Sequence, residues 1–334
     1  MYPTVFEHNK LLLIDRLDQD YFPAAKIPTE YLPLIIPYAG LYYEQDDDYN
    51  MLSQHVRLGP FSLWLHDVFA HKDIVLRPYT PFHLWALHFM YEDTLRAVSP
   101  KTPDVFTLGE RQCNLFNLYS HMPRIPMPGG KKVLSFHINI LPSDLMLLVQ
   151  HYPGLYYLAN KRVQRTSSVI NEQPYRINAV CNMLIQNILS CRYIETTAAY
   201  FLQRCCLDLF LNFAQQDAIA DQIAPYTEEQ AALFHQLFIY LTEHPQLNHT
   251  VQELAKMFNM SGLKLAQGFR AQFSLGLVPF LHMQKMMMLY HLFMQKACSL
   301  QDAVGASGYP NVEEMVKDFE KYYGCNLTAL RRNM

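Results

Sequence analysis

The pattern of apolar and polar positions changes period once, near Tyr175. Before that point apolar residues alternate with polar ones, or run in short blocks between turn signals. A period of two marks strands, whose successive side chains face opposite sides. The stretch 133–140 is the cleanest case. Leu134, Phe136, Ile138 and Ile140 fall on one face, and Val133, Ser135, His137 and Asn139 on the other. Pro128-Gly129-Gly130 supplies a turn just before it. The same logic predicts strands over 61–69, 74–77, 82–91 and 111–119. Strands at this spacing predict a β-sandwich or barrel-like domain over residues 1–160. The acidic run 44–48 reads as a solvated loop. Residues 143–151 read as a short helix, stopped by Pro153-Gly154.

After Tyr175 the period is helical. Helices are expected over 177–189 and 195–213. In the second, Ala199, Leu202, Cys206, Leu209, Phe210 and Phe213 form a broad apolar face. That face either closes the β domain or packs on a second copy of the chain. Residues 161–225 are therefore expected to be a helical dimerisation or linker segment, with the polar, proline-ended 215–225 as the linker. Residues 226–334 read as all-α with explicit helix starts. Thr227-x-x-Gln230, Thr250-x-x-Glu253, Ser299-x-x-Asp302 and Asn311-x-x-Glu314 all follow the capping-box pattern, the first two strictly. Short helix, turn, short helix, then a long helix over 278–295, then short helix, turn, short helix: two helix-turn-helix units joined by one helix account for this order. The fold class is thus α+β, a β-rich domain with flanking helices followed by a double helix-turn-helix domain.

Within that order, 261–273 carries the candidate chemistry. Ser261 is a helix N-cap. Leu265, Phe269 and Phe273 share one stripe and suit a core. Leu263, Ala266, Gln267 and Arg270 form a second stripe, with Gly262 and Lys264 beside it. No carboxylate interrupts it. Such a face suits a DNA major groove, with Arg270 near phosphate and Gln267 near base edges.

Composition narrows the classes. Of 334 residues, 50% are hydrophobic and 17% charged, which is a globular balance and not a disordered one. The run 286–294 is broken by His291 and falls far short of the roughly 20 residues of a membrane span. The N-terminal run 11–14 is followed by Asp15, so neither a signal peptide nor an anchor is expected. The seven cysteines include no C-x-x-C pair, which suits reduced thiols in a cytoplasm. Net charge is −3, and from Thr227 onward nine Lys/Arg meet nine Asp/Glu. That argues against bulk attraction to nucleic acid and leaves a local basic face.

Several motifs together resemble a known family. The first unit reads Thr250-Val251-Gln252-Glu253-Leu254-Ala255, then Met260-Ser261, Leu265, Gly268-Phe269-Arg270 and Phe273. The long helix carries Phe280-Leu281, Lys285-Met286, Leu289 and Leu292. The second unit reads Ser299-Leu300, Asp302-Ala303-Val304, Gly308-Tyr309, Phe319, Tyr322-Tyr323-Gly324 and Arg331. Over roughly 233–331 this is similar to the double helix-turn-helix domain of the AraC/XylS transcription regulators. The resemblance implies two recognition helices in successive major grooves of double-stranded operator DNA. It also implies an activator that recruits RNA polymerase, a small-molecule effector, and a homodimer formed through the N-terminal part.

The chain departs from that family at three places. Ser274 stands where a glycine is expected, and Leu327 where a proline is expected. The second recognition helix, 311–323, is acidic. Its groove-facing stripe would be Glu313, Val316, Lys317 and Glu320, with Asn311 at its start. Residues 311–324 sum to −2, against +2 for 261–273. Carboxylates beside phosphates repel, although Glu313 could accept a hydrogen bond from cytosine N4. The first unit is therefore expected to be the main DNA contact. The other reading is a relative that has become a protein- or ligand-interaction module without specific DNA binding.

His66, His71, His83 and His88 cluster in the β region, but no His-x-His pair occurs, and no metal site is expected. Trp64, His83 and Trp85 are candidates to line a ligand cavity, with Phe89 and Tyr91 nearby. Met283, Met286, Met287, Met288 and Met294 read as adaptable core filler. No nucleophile elbow, P-loop, dinucleotide fingerprint or zinc-hydrolase helix is found, so neither an enzyme nor a cofactor is expected.

Overall fold

The computed structural model describes residues 11–16, 26–98, 105–120, 123–161, 163, 165–171, 173–219, 227–247, 249–295 and 298–332. Of the expected linker 215–225, residues 220–225 lie outside them and 215–219 continue a helix. The chain forms two compact units, Met1–Ile177 with Ile188–Arg192, and Asn178–Asn187 with Tyr193–Met334.

The first unit is built on antiparallel strands. They are β1 (Leu13–Arg16), β2 (Gly40–Gln45), β3 (Tyr49–Leu58), β4 (Phe61–Ala70), β5 (Ile74–Tyr79), β6 (Leu84–Glu92), β7 (Leu95–Val98), β8 (Val105–Leu108), β9 (Gln112–Leu118), β10 (Ile125–Met127) and β11 (Lys132–Ile140). Helices α1 (Pro142–His151) and α2 (Tyr156–Ala159) follow, then the two-residue strands β12 (Ser168–Val169) and β13 (Tyr175–Arg176). The large sheet runs β12-β9-β6-β11-β4-β3-β2, with β13 also on β9, and a second sheet runs β1-β5-β10. The stretch that alternated most cleanly, β11, lies between β4 and β6. Facing side chains from the two sheets, among them Met51, Val68, Met90 and Val133 with Ile74, Leu76, Ile125 and Met127, form one buried apolar cluster. This is a sandwich core, as the alternation predicted.

The acidic run corrects one expectation. Glu44 lies in β2, only 6% exposed, and accepts a hydrogen bond from the Tyr49 hydroxyl. Only 46–48 turn. Asp46 Oδ1 accepts from the amides of Asp48 (2.8 Å) and Tyr49 (3.0 Å), the local bonding that makes aspartate a turn former.

Among its described residues the second unit forms helices and no strand: α3 (Ala179–Leu189, whose last two residues group with the first unit), α4 (Glu195–Ile219), α5 (Glu228–Glu243), α6 (Val251–Met257), α7 (Gly262–Phe273), α8 (Leu277–Phe293), α9 (Leu300–Ser307), α10 (Val312–Tyr323) and α11 (Leu327–Arg332). Here α3 and α4 share a unit with the helices after 226. α4 is also longer than its apolar pattern suggested, running on to Ile219. Reciprocal capping boxes start α5, α6 and α9 at Thr227, Thr250 and Ser299. The core holds Phe269, Phe273, Phe280, Tyr290, Phe293 and Phe319. Met283, Met286 and Met287 are buried on α8, the filler role expected of methionine on a helix packed from several sides. Among the described residues no helix is long and apolar enough to cross a membrane.

Candidate nucleic-acid interface

α6 and α7 form the first helix-turn-helix. The turn between them uses Asn259 at φ 51°, a left-handed position that asparagine tolerates better than most residues. Ser261 then caps α7, its side chain accepting from the Lys264 amide at 3.3 Å. Leu265, Phe269 and Phe273 are buried, so the core stripe falls where its spacing placed it. Gly268 is buried in the same face. A Cβ there would sit 1.9 Å from Cζ of Phe234, so the bare glycine is what lets α5 pack onto α7. On the far side Leu263 is 68% exposed, and Lys264, Gln267 and Arg270 are exposed beside it. Gly262 and Ala266 are half-buried at the edge of that stripe. The outward face is thus cationic and amide-bearing, and it stands on an anchored helix.

α9 and α10 repeat the plan. Asn311 caps α10, accepting from the Glu314 amide at 2.8 Å. Met315, Phe319, Tyr322 and Tyr323 are buried, while Asn311, Glu313 and Lys317 are exposed. The structure sorts the carboxylates that the net charge had lumped together. Asp318 accepts from the Tyr309 hydroxyl and from His282 Nε2 (2.9 Å). Burial pushes its pKa up, but these two bonds, with the electrostatic attraction of His282 and Lys321, together hold it below the ordinary carboxylate value. Glu320 Oε1 accepts from the Leu327 amide (2.8 Å) and from Asn326 Nδ2 (3.1 Å). It therefore caps α11 and is half-buried, although it was expected to face the groove. Glu314 receives Asn311 Nδ2 at 3.2 Å. Glu313 and Lys317 then mark the outward face.

Both single-residue departures acquire a physical account. Proline suits a first helical position because that amide needs no partner within the helix. Leu327 keeps its amide, and Glu320 accepts from it. Ser274 ends α7 at φ 55°, ψ 24°, the left-handed geometry that glycine adopts without strain. Gly324 holds the same place after α10 at φ 66°, ψ 29°.

The ligand candidates in the first unit do not converge. In the pairing register Trp64 lies opposite His137 and Trp85 opposite Ile140, so the two tryptophans point to opposite faces of the large sheet. His83 precedes β6, bonds Asn117 Oδ1 through Nε2 at 2.7 Å and stacks on Tyr119.

What the sequence reading missed is the face on which Trp64 sits. Across β3, β4, β11 and β6 it carries Ser53, His55, Trp64, His66, His137, Asn139 and His88. His66 Nδ1 meets Ser53 Oγ (2.8 Å), His66 Nε2 meets His137 Nε2 (3.0 Å), and His137 Nδ1 meets Asn139 Oδ1 (3.0 Å). With the amide oxygen as the final acceptor, neutral tautomers run the protons one way. Ser53 donates to His66, His66 to His137, and His137 to Asn139. Burial drives all three imidazoles toward neutrality: His66 falls well below its ordinary value, His88 to about 3, and His137 to about 4. Asn139 Nδ2, His88 Nε2 and Arg57 Nη1 are buried polar atoms that the protein itself leaves unsatisfied. Among the described residues no group of three metal-ligating side chains is placed to hold a metal. The signal that could have revealed this face was polar residues at period two on several strands together, visible only once register is known.

No family model and no curated protein matches the chain. Solved structures do. ToxT from Vibrio cholerae aligns over 82% of this chain and 98% of its own, at 8% identity and a TM-score of 0.32. The DNA-binding domain of the transcriptional factor AdpA, in complex with a target DNA, aligns over 30% of this chain and 90% of its own, at 19% identity and a TM-score of 0.28. The C-terminal domain of the response regulator AraT from Geobacillus stearothermophilus covers 30% of this chain and 85% of its own, at 16% identity and a TM-score of 0.29. At such scores the weight stays on this chain's own residues.

Proposed function

We propose that the chain is a sequence-specific, DNA-binding transcription regulator of the AraC/XylS type, with α7 as its main contact in the major groove. The observation that carries this reading is the exposed stripe Leu263, Lys264, Gln267 and Arg270. It lies on a capped helix whose opposite face is locked in the core and which bears no carboxylate. Arg270 and Lys264 supply phosphate contacts, and Gln267 faces adenine N6 and N7. Asn311, Glu313 and Lys317 of α10 make the weaker second contact.

The first unit would be the sensor. Asn139 Nδ2 and Arg57 Nη1, two buried donors without a partner in the protein, favour a small effector with hydrogen-bond acceptors, and neutral His88 Nε2 can serve either role. The protein would act in the cytoplasm as a homodimer and recruit RNA polymerase. Titrating salt against affinity tests the DNA reading. True binding gives log affinity falling steeply with log salt, and Arg270→Ala flattens the slope by about one unit. A second reading, an interaction module, is favoured by the zero net charge after Thr227. A flat salt response would support it and defeat the first.

A further inference from the structure

α4 carries a polar stripe that the proposed function has not used. Arg204, Asp208 and Asn212 recur every fourth residue, so they lie on one side of the helix, spanning about 12 Å of its axis. Asp208 is 8% exposed and Asn212 1%. Buried polar groups cost stability unless their bonds are met, and these are met by the ends of the two recognition helices.

At one end of the stripe, Asn212 Nδ2 donates to the carbonyl of Phe273, the last residue of α7, at 2.8 Å. Asn178 Nδ2 donates to the same oxygen at 3.1 Å and to Asn212 Oδ1 at 2.9 Å. Cys181 Sγ also donates to Asn212 Oδ1, at 3.1 Å. At the other end, Arg204 Nη1 donates to the carbonyl of Tyr322, in the last turn of α10, at 3.0 Å. The guanidinium lies 3.5 Å from the Tyr322 ring centroid and clasps Asp208 through Nε (3.1 Å) and Nη2 (2.6 Å). The Tyr322 hydroxyl closes the loop on Asp208 Oδ2 at 2.7 Å. The last carbonyls of a helix have no partner within it. In both recognition helices one of them is satisfied by the same helix, α4.

Apolar packing alone would leave room for sliding. Directional bonds to a carbonyl, and a planar guanidinium fixed on three partners, select one orientation. α8 already joins the two units through the chain. α4 is a second strut, tying the C-terminal end of α7 to the C-terminal end of α10, and two struts fix a torsion that one leaves free.

We infer that Arg204, Asp208 and Asn212 are positioning residues that set the spacing and angle between the two recognition helices, so that the pair reads DNA as one rigid bivalent body. This rests on the DNA-binding reading only for its consequence. The rigid frame itself is a property of the free protein. Bivalency raises affinity through effective concentration, which falls when the link loosens.

The test uses the full chain, with spin labels on p-acetylphenylalanine introduced at Lys264 and Lys317, both exposed. Wild type should give one narrow distance distribution by pulsed electron paramagnetic resonance. Asn212→Leu keeps the volume but removes the donor, and should broaden the distribution. Arg204→Lys keeps the charge but loses the fork, and serves as a gentler companion if the first variant misfolds by circular dichroism. On duplexes selected from a random pool by wild type, each variant should lose about tenfold to hundredfold in affinity. Each should also tolerate added base pairs between the half-sites that wild type rejects. A broad distribution in wild type, or a narrow one unchanged in both variants, would overturn the inference whether or not DNA binds. If wild type shows no salt-dependent binding, the DNA reading falls, and the distance distributions still decide the frame.

Discussion

α7 and α10 begin and end alike. A side-chain cap starts each, at Ser261 and Asn311, and a left-handed residue ends each, at Ser274 and Gly324. Each buries an aromatic stripe. They part on the outward face, where α7 presents Lys264, Gln267 and Arg270 and α10 presents Glu313 and Lys317. They also part in how their capacity for charge is used. Asp318 and Glu320 of α10 are engaged within the unit, one with Tyr309 and His282, the other at the start of α11. Packing within the unit and the character of the outward face are therefore set by different residues. A net charge summed along a helix mixes the two sets and overstates how acidic the second face is.

The largest effect expected from breaking this comparison lies in the glycines. Gly268→Ala drives a methyl into Phe234, and overpacking of this kind costs about 1–3 kcal/mol. Gly305 in α9 has open space around its Cβ position, and Gly305→Ala should stabilise by about 0.5–1 kcal/mol through backbone entropy alone. Urea unfolding of each variant reads both signs. A Gly268→Ala protein as stable as wild type would mean that α5 does not rely on that close approach.

The next contrast is in DNA affinity. Arg270→Ala should weaken binding by about 1–3 kcal/mol, while Lys317→Ala should cost less than half of that. Equal losses, measured side by side on the same duplex, would erase the asymmetry between the units.

How much of this was legible depended on whether the deciding contacts were local. Helix starts were readable because a capping box needs only residues three places apart, and Thr227, Thr250, Ser261, Ser299 and Asn311 all cap as their spacing indicated. β11 was readable because one strand shows its own alternation. Trp64 and Trp85 looked like joint lining, since no single stretch reveals that the register sends them to opposite faces. The relay from Ser53 through His66 and His137 to Asn139 needs three strands at once. Glu320 looked groove-facing because its partner, the Leu327 amide, lies beyond a turn. The stripe on α4 was hidden by the apolar residues around it. Arg204, Asp208 and Asn212 acquire meaning only when the ends of two distant helices arrive beside them.

That sorting of carboxylates can be tested directly. Glu313→Gln should strengthen DNA binding severalfold and cost only about 0.3–0.5 kcal/mol of stability, because an exposed carboxylate is lost from the first turn of α10. Glu320→Gln should leave affinity nearly unchanged and cost about 1 kcal/mol of stability, because a charged cap on α11 is lost. Should both variants tighten binding equally, Glu320 would belong to the DNA face after all.

The smallest effect sharpens the likeness between the two helix ends. An L-residue in left-handed geometry costs about 1–2 kcal/mol, and glycine carries a backbone entropy cost of about 0.5–1 kcal/mol. Ser274→Gly should thus gain about 0.5–1 kcal/mol, and Gly324→Ser should lose about as much. The two changes are not mirror images. Ser274 is 3% exposed, so removing its side chain also forfeits some packing, whereas the Cβ position at Gly324 is open. The loss at Gly324 should therefore exceed the gain at Ser274 in paired denaturation curves. The reverse order would mean that the Ser274 backbone relaxes once its side chain is gone, and that the two recognition helices end less alike than their dihedral angles indicate.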